Sequence, residues 1–461
     1  MEQIFFILWV LLLGSSRAVF ERSSLILARP YGCKLDPREA FQAKFEWLKG
    51  GALGSTRGLS PRHEVAATYP TSIGKERMNT NSSAPTKLYI GLDVHKAETV
   101  IAILQSDRDA EPRHYGAVGT SQHALERAIR RIAKKQQCDL SEIHVCYEAS
   151  GCGFWIARRL NQMGCWCEVI APSLIPTRSG DRVKTDKRDA MKLAKSLRAN
   201  DLVAVNVPDS TDEAIRDLCR ARTDAVDDLR RAKTRLLALL RRLGYNYDGK
   251  THWTEAHKRY LRHLTLPDAA HNRVLEDNIS TIEFHQERIH RLEEAMLQLL
   301  EDWQRKPLVE AMMAFKGFKL VAAMVTVSEI GTFSRFEHPK KLMAFLGLVP
   351  TENSSGTSKR QGGISKCGNP HARWILIEQA THYRVPPKVS AQLSKRQEDT
   401  PRWIKELSWS TQTRLSHRFN TLRKRQLHHN KIKVSVAREL CAFLWELGTK
   451  IEAKQEPVSK N

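Results

Sequence analysis

The stretch Lys87-Leu88-Tyr89-Ile90-Gly91-Leu92-Asp93-Val94-His95-Lys96 constrains the fold more than any other. Its apolar and β-branched residues read as a strand, with one aspartate set into it. A carboxylate inside a strand is costly unless it is paired or holds a cation. Asp93 therefore needs partners, and the chain that follows must supply them. Residues 87–94 and 98–104 form a hairpin-like pair, and 121–135 an amphipathic helix carrying Leu125, Ile129 and Ile132 on one face. A short buried strand over 143–147 ends at Glu148. A helix over 154–163 is closed by Gly164, and a strand over 167–171 is stopped by Pro172. Strands alternating with helices indicate an α/β layer. After a basic loop at 178–182, Thr185 opens a helix to about residue 198, with Asp186 and Asp189 in its first turn.

From Asp212 the period changes. Ile215, Leu218, Arg222, Ala225, Leu229, Ala232, Leu236, Leu239 and Leu243 recur in steps of three and four, a heptad seam ended by Gly244. A second seam runs through Ile282, His285, Ile289, Leu292, Met296, Leu299 and Trp303. The two predict a long helical hairpin or an intersubunit coiled coil, with Arg222 and His285 as the polar positions that set register or oligomer state. Beyond Pro307, helices are expected at 320–329, 340–347, 371–382 and 434–447, with a loop-like segment over 350–368. The fold class is α/β plus α: an α/β layer over 86–208, long coiled-coil helices over 209–305, a mostly α-helical C-terminal domain over 306–450 and a tail over 451–461.

A chain of 461 residues is too long for one ordinary core. Its formal charge of +23, from 74 Lys and Arg against 51 Asp and Glu, implies a polyanionic partner, nucleic acid first. Charge alone does not separate an enzyme from a basic binding protein. Nine scattered cysteines without a CxxC pair read as reduced thiols of a cytoplasmic protein. The apolar run 4–13 has a signal-like core, but its leading segment carries Glu2 and no cation, and it is short for a membrane span. Residues 1–85 show no sustained period and are expected to be an unstructured or spurious extension, with translation starting at Met78. A secreted protein is the alternative, and no membrane partner is expected.

Asp93, Glu148, Asp186 and Asp189 carry the chemistry. Asp186 and Asp189 share one helix face at i, i+3, and the strand ends bearing Asp93 and Glu148 can face that helix. Grouped acids repel unless a cation holds them, and hard oxygen ligands favour Mg²⁺ or Mn²⁺. Two such ions can clamp a phosphodiester. The competing reading is solvated acids, with Asp186 complementing the helix dipole.

At these residues the chain resembles a known family. Gly91-Leu92-Asp93-Val94-His95-Lys96, Tyr147-Glu148-Ala149-Ser150-Gly151 and Lys184-Thr185-Asp186-Lys187-Arg188-Asp189-Ala190 are similar to the three acidic motifs of the DEDD transposases, mobile-element recombinases of insertion-sequence family one-ten. The likeness continues through Ala344-Phe345-Leu346-Gly347-Leu348-Val349-Pro350, Ser354-Ser355-Gly356 and Gly363-Ile364-Ser365-Lys366-Cys367-Gly368-Asn369, covering residues 86–450. The resemblance implies an RNase H/resolvase-like N-terminal domain, a coiled coil and a C-terminal transposase domain. It implies that Asp93, Glu148, Asp186 and Asp189 bind Mg²⁺ and that a serine, Ser355 or its neighbour Ser354, attacks the DNA phosphate. It further implies a noncoding guide RNA, with DNA partners at the element ends and the target; a homo-oligomer, dimer or tetramer, is expected from the helical seams.

Lys359, Arg360 and Lys366 flank the serine loop and suit phosphate. Lys316 and Lys319 stand where family members often carry a Gly-x-Gly turn. The basic–aromatic stretch 395–425 reads either as a nucleic-acid surface or as a solvated helical face. The expected function is a transposase or site-specific recombinase. The alternatives are a DNA invertase of the same family, a junction-resolving nuclease using metal-activated water, and a non-catalytic nucleic-acid-binding protein.

Overall fold

The computed structural model describes residues 87–176, 185–355, 358 and 360–455. All of them belong to one of the chain's two compact units, residues 69–461. The expectations for the N-terminal extension, the basic loop 178–182, Gly356, Lys359 and residues 456–461 lie outside the described residues.

The N-terminal part is a five-stranded mixed sheet. Strands β1 (Leu88–Val94), β2 (Glu98–Gln105) and β3 (Arg113–Gly119) form an antiparallel meander. Strands β4 (Ile143–Glu148) and β5 (Trp166–Ile170) continue in parallel from β1, giving the order β3-β2-β1-β4-β5. Strand β3 was not among the expected elements; its Arg-His-Tyr-Gly-Ala-Val-Gly sequence lacks a clean alternation, and a register shift opposite Ile101 and Ala102 disturbs it further. Helices α1 (Gln122–Gln136), α2 (Trp155–Gln162) and α3 (Asp186–Arg198) cover the sheet. Ser121 and Thr185 cap α1 and α3 by accepting from the amides of Ala124 and Arg188.

The period-two alternation of β1 sorts its side chains. Leu88, Ile90 and Leu92 join the core beneath α1 and α2, together with Val145 and Tyr147 of β4. Tyr89, Gly91 and Asp93 face the other way, toward α3. There Tyr89 packs with Cys146, Leu193 and Leu197, and the Cys146 thiol lies 3.7 Å from the Leu193 carbonyl oxygen. Gly91 is the point of closest approach. A Cβ at this position would lie 2.2 Å from the Ala190 carbonyl oxygen and 2.6 Å from the Ala194 amide nitrogen, so α3 touches the strand only because no side chain intervenes.

Two long helices follow, α4 (Ser210–Arg242) and α6 (Ala269–Leu300), connected through α5 (Glu255–His263). They run antiparallel within the chain. Arg222 pairs with Glu293 at 2.5 Å and Asp228 with Arg288 at 3.1 Å, so positions advance on one helix as they recede on the other. Ile215, Ala225, Ala232, Leu236 and Leu239 of the first seam are buried, as are Ile282 and Met296 of the second; Leu299 is half exposed. Arg222 thus pairs with a carboxylate on the facing helix. At the root of the pair, buried Asp212 accepts from the Trp303 indole at 2.8 Å and from Arg305 at 2.7 Å.

The remaining chain is mostly helical: α7 (Lys306–Met313), α8 (Leu320–Ile330), α9 (Pro339–Phe345), α10 (Pro370–Ala380), α11 (Ala391–Arg396), α12 (Arg402–Lys424) and α13 (His429–Gln455). Helix α13 continues past the expected boundary at residue 450. Helix α8 is buried from Ala322 to Ile330 and packs in the largest core with Leu440, Leu444 and Leu447 of α13. The segment expected as a loop contains a short antiparallel hairpin, β6 (Pro350–Glu352) and β7 (Gln361–Ile364). The eight described cysteines are unpaired. Among the described residues no helix is long and apolar enough to cross a membrane.

Substitution Gly91→Ala should lower the unfolding free energy by about 1–3 kcal/mol, because backbone rather than a flexible side chain occupies the space. Gly119→Ala, where a Cβ meets nothing within 4 Å, should stay within about 0.5 kcal/mol. Urea unfolding of the two variants tests the contact; equal midpoints would refute it.

Candidate active site

The Gly91 contact places the first turn of α3 at the C-terminal end of β1. Asp93, two residues beyond Gly91 on the same face, meets Asp186 there, and His95 lies between them. The His95 Nε2 is 3.3 Å from Asp93 Oδ2 and 3.6 Å from Asp186 Oδ2. One ligand atom from each of the three residues falls within 4.8 Å of the others. The β1–β2 turn is held over this cluster: the His95 amide donates to the Glu98 carbonyl, and the Thr120 hydroxyl donates to the His95 carbonyl at 2.8 Å. Burial pushes the Asp93 carboxyl above the usual carboxylate range. The charges of Asp186 and Asp189 act in the same direction, and His95 opposes them.

Glu148 and Asp189 are outside that close group. Glu148 ends β4 one residue past the paired Leu92 and Tyr147, and so shares the α3-facing side of the sheet with Asp93. Asp189 lies in the first turn of α3 with Asp186. His95 carries no assigned role in the sequence analysis. Its spacing of two residues from Asp93, which puts both side chains on one face of an extended chain, was the available signal.

The second candidate centre is the β6–β7 hairpin. Ser354 donates its hydroxyl to Glu352 Oε1 at 2.8 Å and accepts the Arg360 amide at 3.3 Å. Ser355 is exposed, and its backbone exchanges two hydrogen bonds of 3.1 Å with Ser358. Glu352 was not singled out from the sequence; its position two residues before Ser354, on the same strand face, was the only clue. Lys366 is exposed beyond β7, in the left-handed region. Lys316 donates to the Pro386 carbonyl at 3.0 Å, and Lys319 is exposed at the start of α8. The Lys316–Lys319 turn needs Gly317, with φ +93°, where a Cβ would strike the His382 ring.

The sequence motifs around the hairpin are its base. A Cβ on Gly368 would lie 1.9 Å from the Phe345 carbonyl oxygen, and one on Gly347 2.2 Å from that of Cys367. The turns at 345–347 and 366–369 therefore lie backbone against backbone, joined by hydrogen bonds from Lys366 N to Gly347 O and from Asn369 N to Phe345 O. Asn369 also donates to Glu329 Oε2 at 2.6 Å, and Arg220 of α4 grips the same carboxylate through Nε at 2.8 Å and Nη2 at 2.9 Å. Burial would raise the Glu329 carboxyl, but the Arg220 guanidinium and the Asn369 amide outweigh it and hold it below the usual range.

Comparison with known proteins finds transposases. Residues 309–393 match the Transposase IS116/IS110/IS902 family, and residues 90–244 match the profile of a DEDD transposase of the IS110 type. A Sinorhizobium fredii protein with the provisional name transposase y4qE is 37% identical over 367 residues, covering 80% of this chain and 89% of that protein. The transposase of insertion sequence element IS1533 from Leptospira borgpetersenii is 27% identical over 348 residues, covering 74% of this chain and 98% of its own length.

Exchange of Glu329 for Gln keeps the shape and removes the charge. The loss should be about 1–3 kcal/mol at pH 7, below that of a fully enclosed pair because Arg220 reaches solvent. Since the folded carboxyl titrates below its ordinary value of 4.5, the wild type keeps this contribution above that pH and loses it on further acidification. The stability difference between wild type and E329Q, measured by urea unfolding, should shrink below pH 4.5. A constant difference would disprove the charged clamp.

Proposed function

Because the chain belongs to the IS116/IS110/IS902 family of insertion-sequence transposases, whose general activity is to cut and rejoin DNA, we propose that it does so with two centres, an acidic cluster on the sheet and a serine on the β6–β7 hairpin. The observation that carries the proposal is the meeting of Asp93 with the first turn of α3 across Gly91. The strand order, an antiparallel meander continued by parallel strands, supports an RNase H/resolvase-like reading of residues 86–208. The antiparallel helices support a coiled-coil region over 209–305 and leave 306–450 as the serine-bearing domain.

The donor set fits a hard divalent cation, Mg²⁺ or Mn²⁺, with one imidazole beside the carboxylates. Asp93 and Asp186 would hold the ion, with Glu148 and Asp189 on the same side of the sheet and His95 as an added donor. When bound, the ion neutralises phosphate charge and activates oxygen for attack. The chain's own part is to gather the carboxylates; burial and the Asp186 and Asp189 charges make ionising Asp93 costly without a cation.

In the serine step, the hydroxyl oxygen forms a bond to the DNA phosphorus as one phosphodiester P–O bond breaks. The serine proton passes to a base and the departing strand oxygen is protonated. Attack by a second strand's hydroxyl reverses the exchange and frees the serine, so one ester replaces another without a further reactant. Ser355 is the proposed nucleophile, being exposed at the turn while Ser354 is engaged within the hairpin. The Ser354–Glu352 hydrogen bond favours the second reading, in which Ser354 attacks with Glu352 as its base. Arg360, Lys366 and Lys359 would hold the phosphate. An element-encoded RNA guide follows by family likeness, and a homo-oligomer and a cytoplasmic location, the latter from the unpaired cysteines, complete the reading.

Suicide DNA substrates separate the serines. Ser355→Ala should abolish the covalent protein–DNA adduct and Ser354→Ala should leave it. The reverse pattern selects Ser354, adducts in both variants refute attack by either serine alone, and wild-type cleavage without any adduct favours hydrolysis by metal-activated water. Calorimetric titration with Mn²⁺ tests the acids: Asp93→Asn should weaken binding about tenfold or more, and unchanged binding would exclude Asp93 as a ligand.

A further inference from the structure

The basic–aromatic stretch contains a built recess that neither centre uses. A groove of about 360 Å³ opens along α12, lined by Val389, Arg402, Lys405, Glu406, Trp409 and Gln412. Three of its features point to one kind of occupant. Trp409 lines the groove and is 49% exposed. Gln412 is 1% exposed; its Oε1 accepts the Lys388 amide at 3.2 Å, but its Nε2 has no partner among the described residues. An unpaired buried amide donor is expensive, and a ligand acceptor would repay it. The third feature is the mixed charge. Arg402 is held by Glu406 at 2.7 Å, and the Lys405 ammonium rests on the neutral carbonyl of Glu398 at 3.2 Å.

A bare phosphate fits this groove poorly, because Glu406 would repel it. A nucleobase fits all three features. Its flat face stacks on the indole, its ring nitrogen or carbonyl accepts from Gln412, and an exocyclic amine can donate to Glu406. The Lys405 charge is then available to the backbone of the same strand. Stacking on one side chain needs a base already out of a duplex, so the strand must be unpaired.

We propose that the α12 groove binds an unstacked base of single-stranded DNA, with Trp409 as the stacking platform and Gln412 as the donor to the base edge. The choice of DNA rests on the DNA-recombinase reading above. The groove would hold a strand that cutting or strand separation leaves unpaired.

The test uses the full chain in EDTA, so that neither metal nor strand cleavage contributes. Binding of a mixed-sequence single-stranded DNA oligonucleotide is followed by anisotropy. Trp409→Ala should weaken it about tenfold, a typical loss for one stacked base, and Trp409→Phe should recover most of that. Gln412→Glu, which keeps the acceptor and removes the donor, should weaken binding severalfold. Trp374→Ala, equally exposed but outside the groove, should have no effect. The wild type should also photo-crosslink a 5-iodouridine DNA strand at Trp409, a readout that needs no variant to fold. The proposal is overturned if the Trp409 and Gln412 variants bind as wild type, if only duplex binding falls, or if the crosslink forms elsewhere. It is also overturned if single-stranded RNA binds more tightly and carries the whole Trp409 effect, since the occupant is then RNA. Intact DNA binding that ignores these substitutions defeats the groove alone, whereas absence of any DNA binding defeats the recombinase reading.

Discussion

The contact of α3 with β1 at Gly91 is the constraint on which the first candidate centre depends. Helices covering a sheet are normally held off by the side chains of both layers. Here the missing Cβ lets the backbone of Ala190 and Ala194 rest on the strand. The helix axis is thereby drawn close to β1 one turn away from its own N-terminus. The residues of that first turn, Asp186 among them, arrive where Asp93 emerges from the same strand face. The carboxylate that is costly inside a strand and the helix terminus that carries acids are thus brought together by one glycine. The His95 ring contacts both carboxylates, and burial keeps Asp93 reluctant to ionise.

The second centre is built by a different device serving the same end. Two turns at the hairpin base meet backbone to backbone because Gly347 and Gly368 lack side chains, and the Glu329 carboxylate locks the junction to Arg220 of the long helix α4. The hairpin itself is short and exposed, so its position is inherited from this base. Helix α4 begins beside the α/β layer, where Arg158 pairs with Glu213, and it reaches the serine-bearing part through Arg220. It is in direct ionic contact with both, which makes it a physical link between them.

Much of this was legible in the sequence. The alternation in β1, the caps at Ser121 and Thr185, and the three-and-four spacing of the long helices each encode a local preference that the fold respects. Strand β3 was not legible, because its residues have no clean period and it pairs by meander geometry. The β6–β7 hairpin was masked by its Gly and Ser content, which reads as loop. Leu299 obeys the heptad pattern and is still half exposed, since a seam position is buried only where a facing surface exists. His95 and Glu352 were missed because each draws its interest from a partner brought in by folding, Asp186 for the first and the hydroxyl of Ser354 for the second.

The sequence by itself determined the family, the acidic motifs and the glycines, because each is a matter of residue type at fixed local spacing. It also determined that α/β alternation gives way to long amphipathic helices, since periodicity needs no partner to be read. Only the tertiary structure decided which acids approach one another: Asp93 and Asp186 do, with His95 between them, while Glu148 and Asp189 are outside that close group. It likewise decided that the long helices pair with each other within the chain, and that Gln412 is buried with its amide nitrogen unpaired beside an exposed indole. Such facts depend on distances between residues far apart in the chain. Those distances follow from how backbones pack, and no local pattern records them.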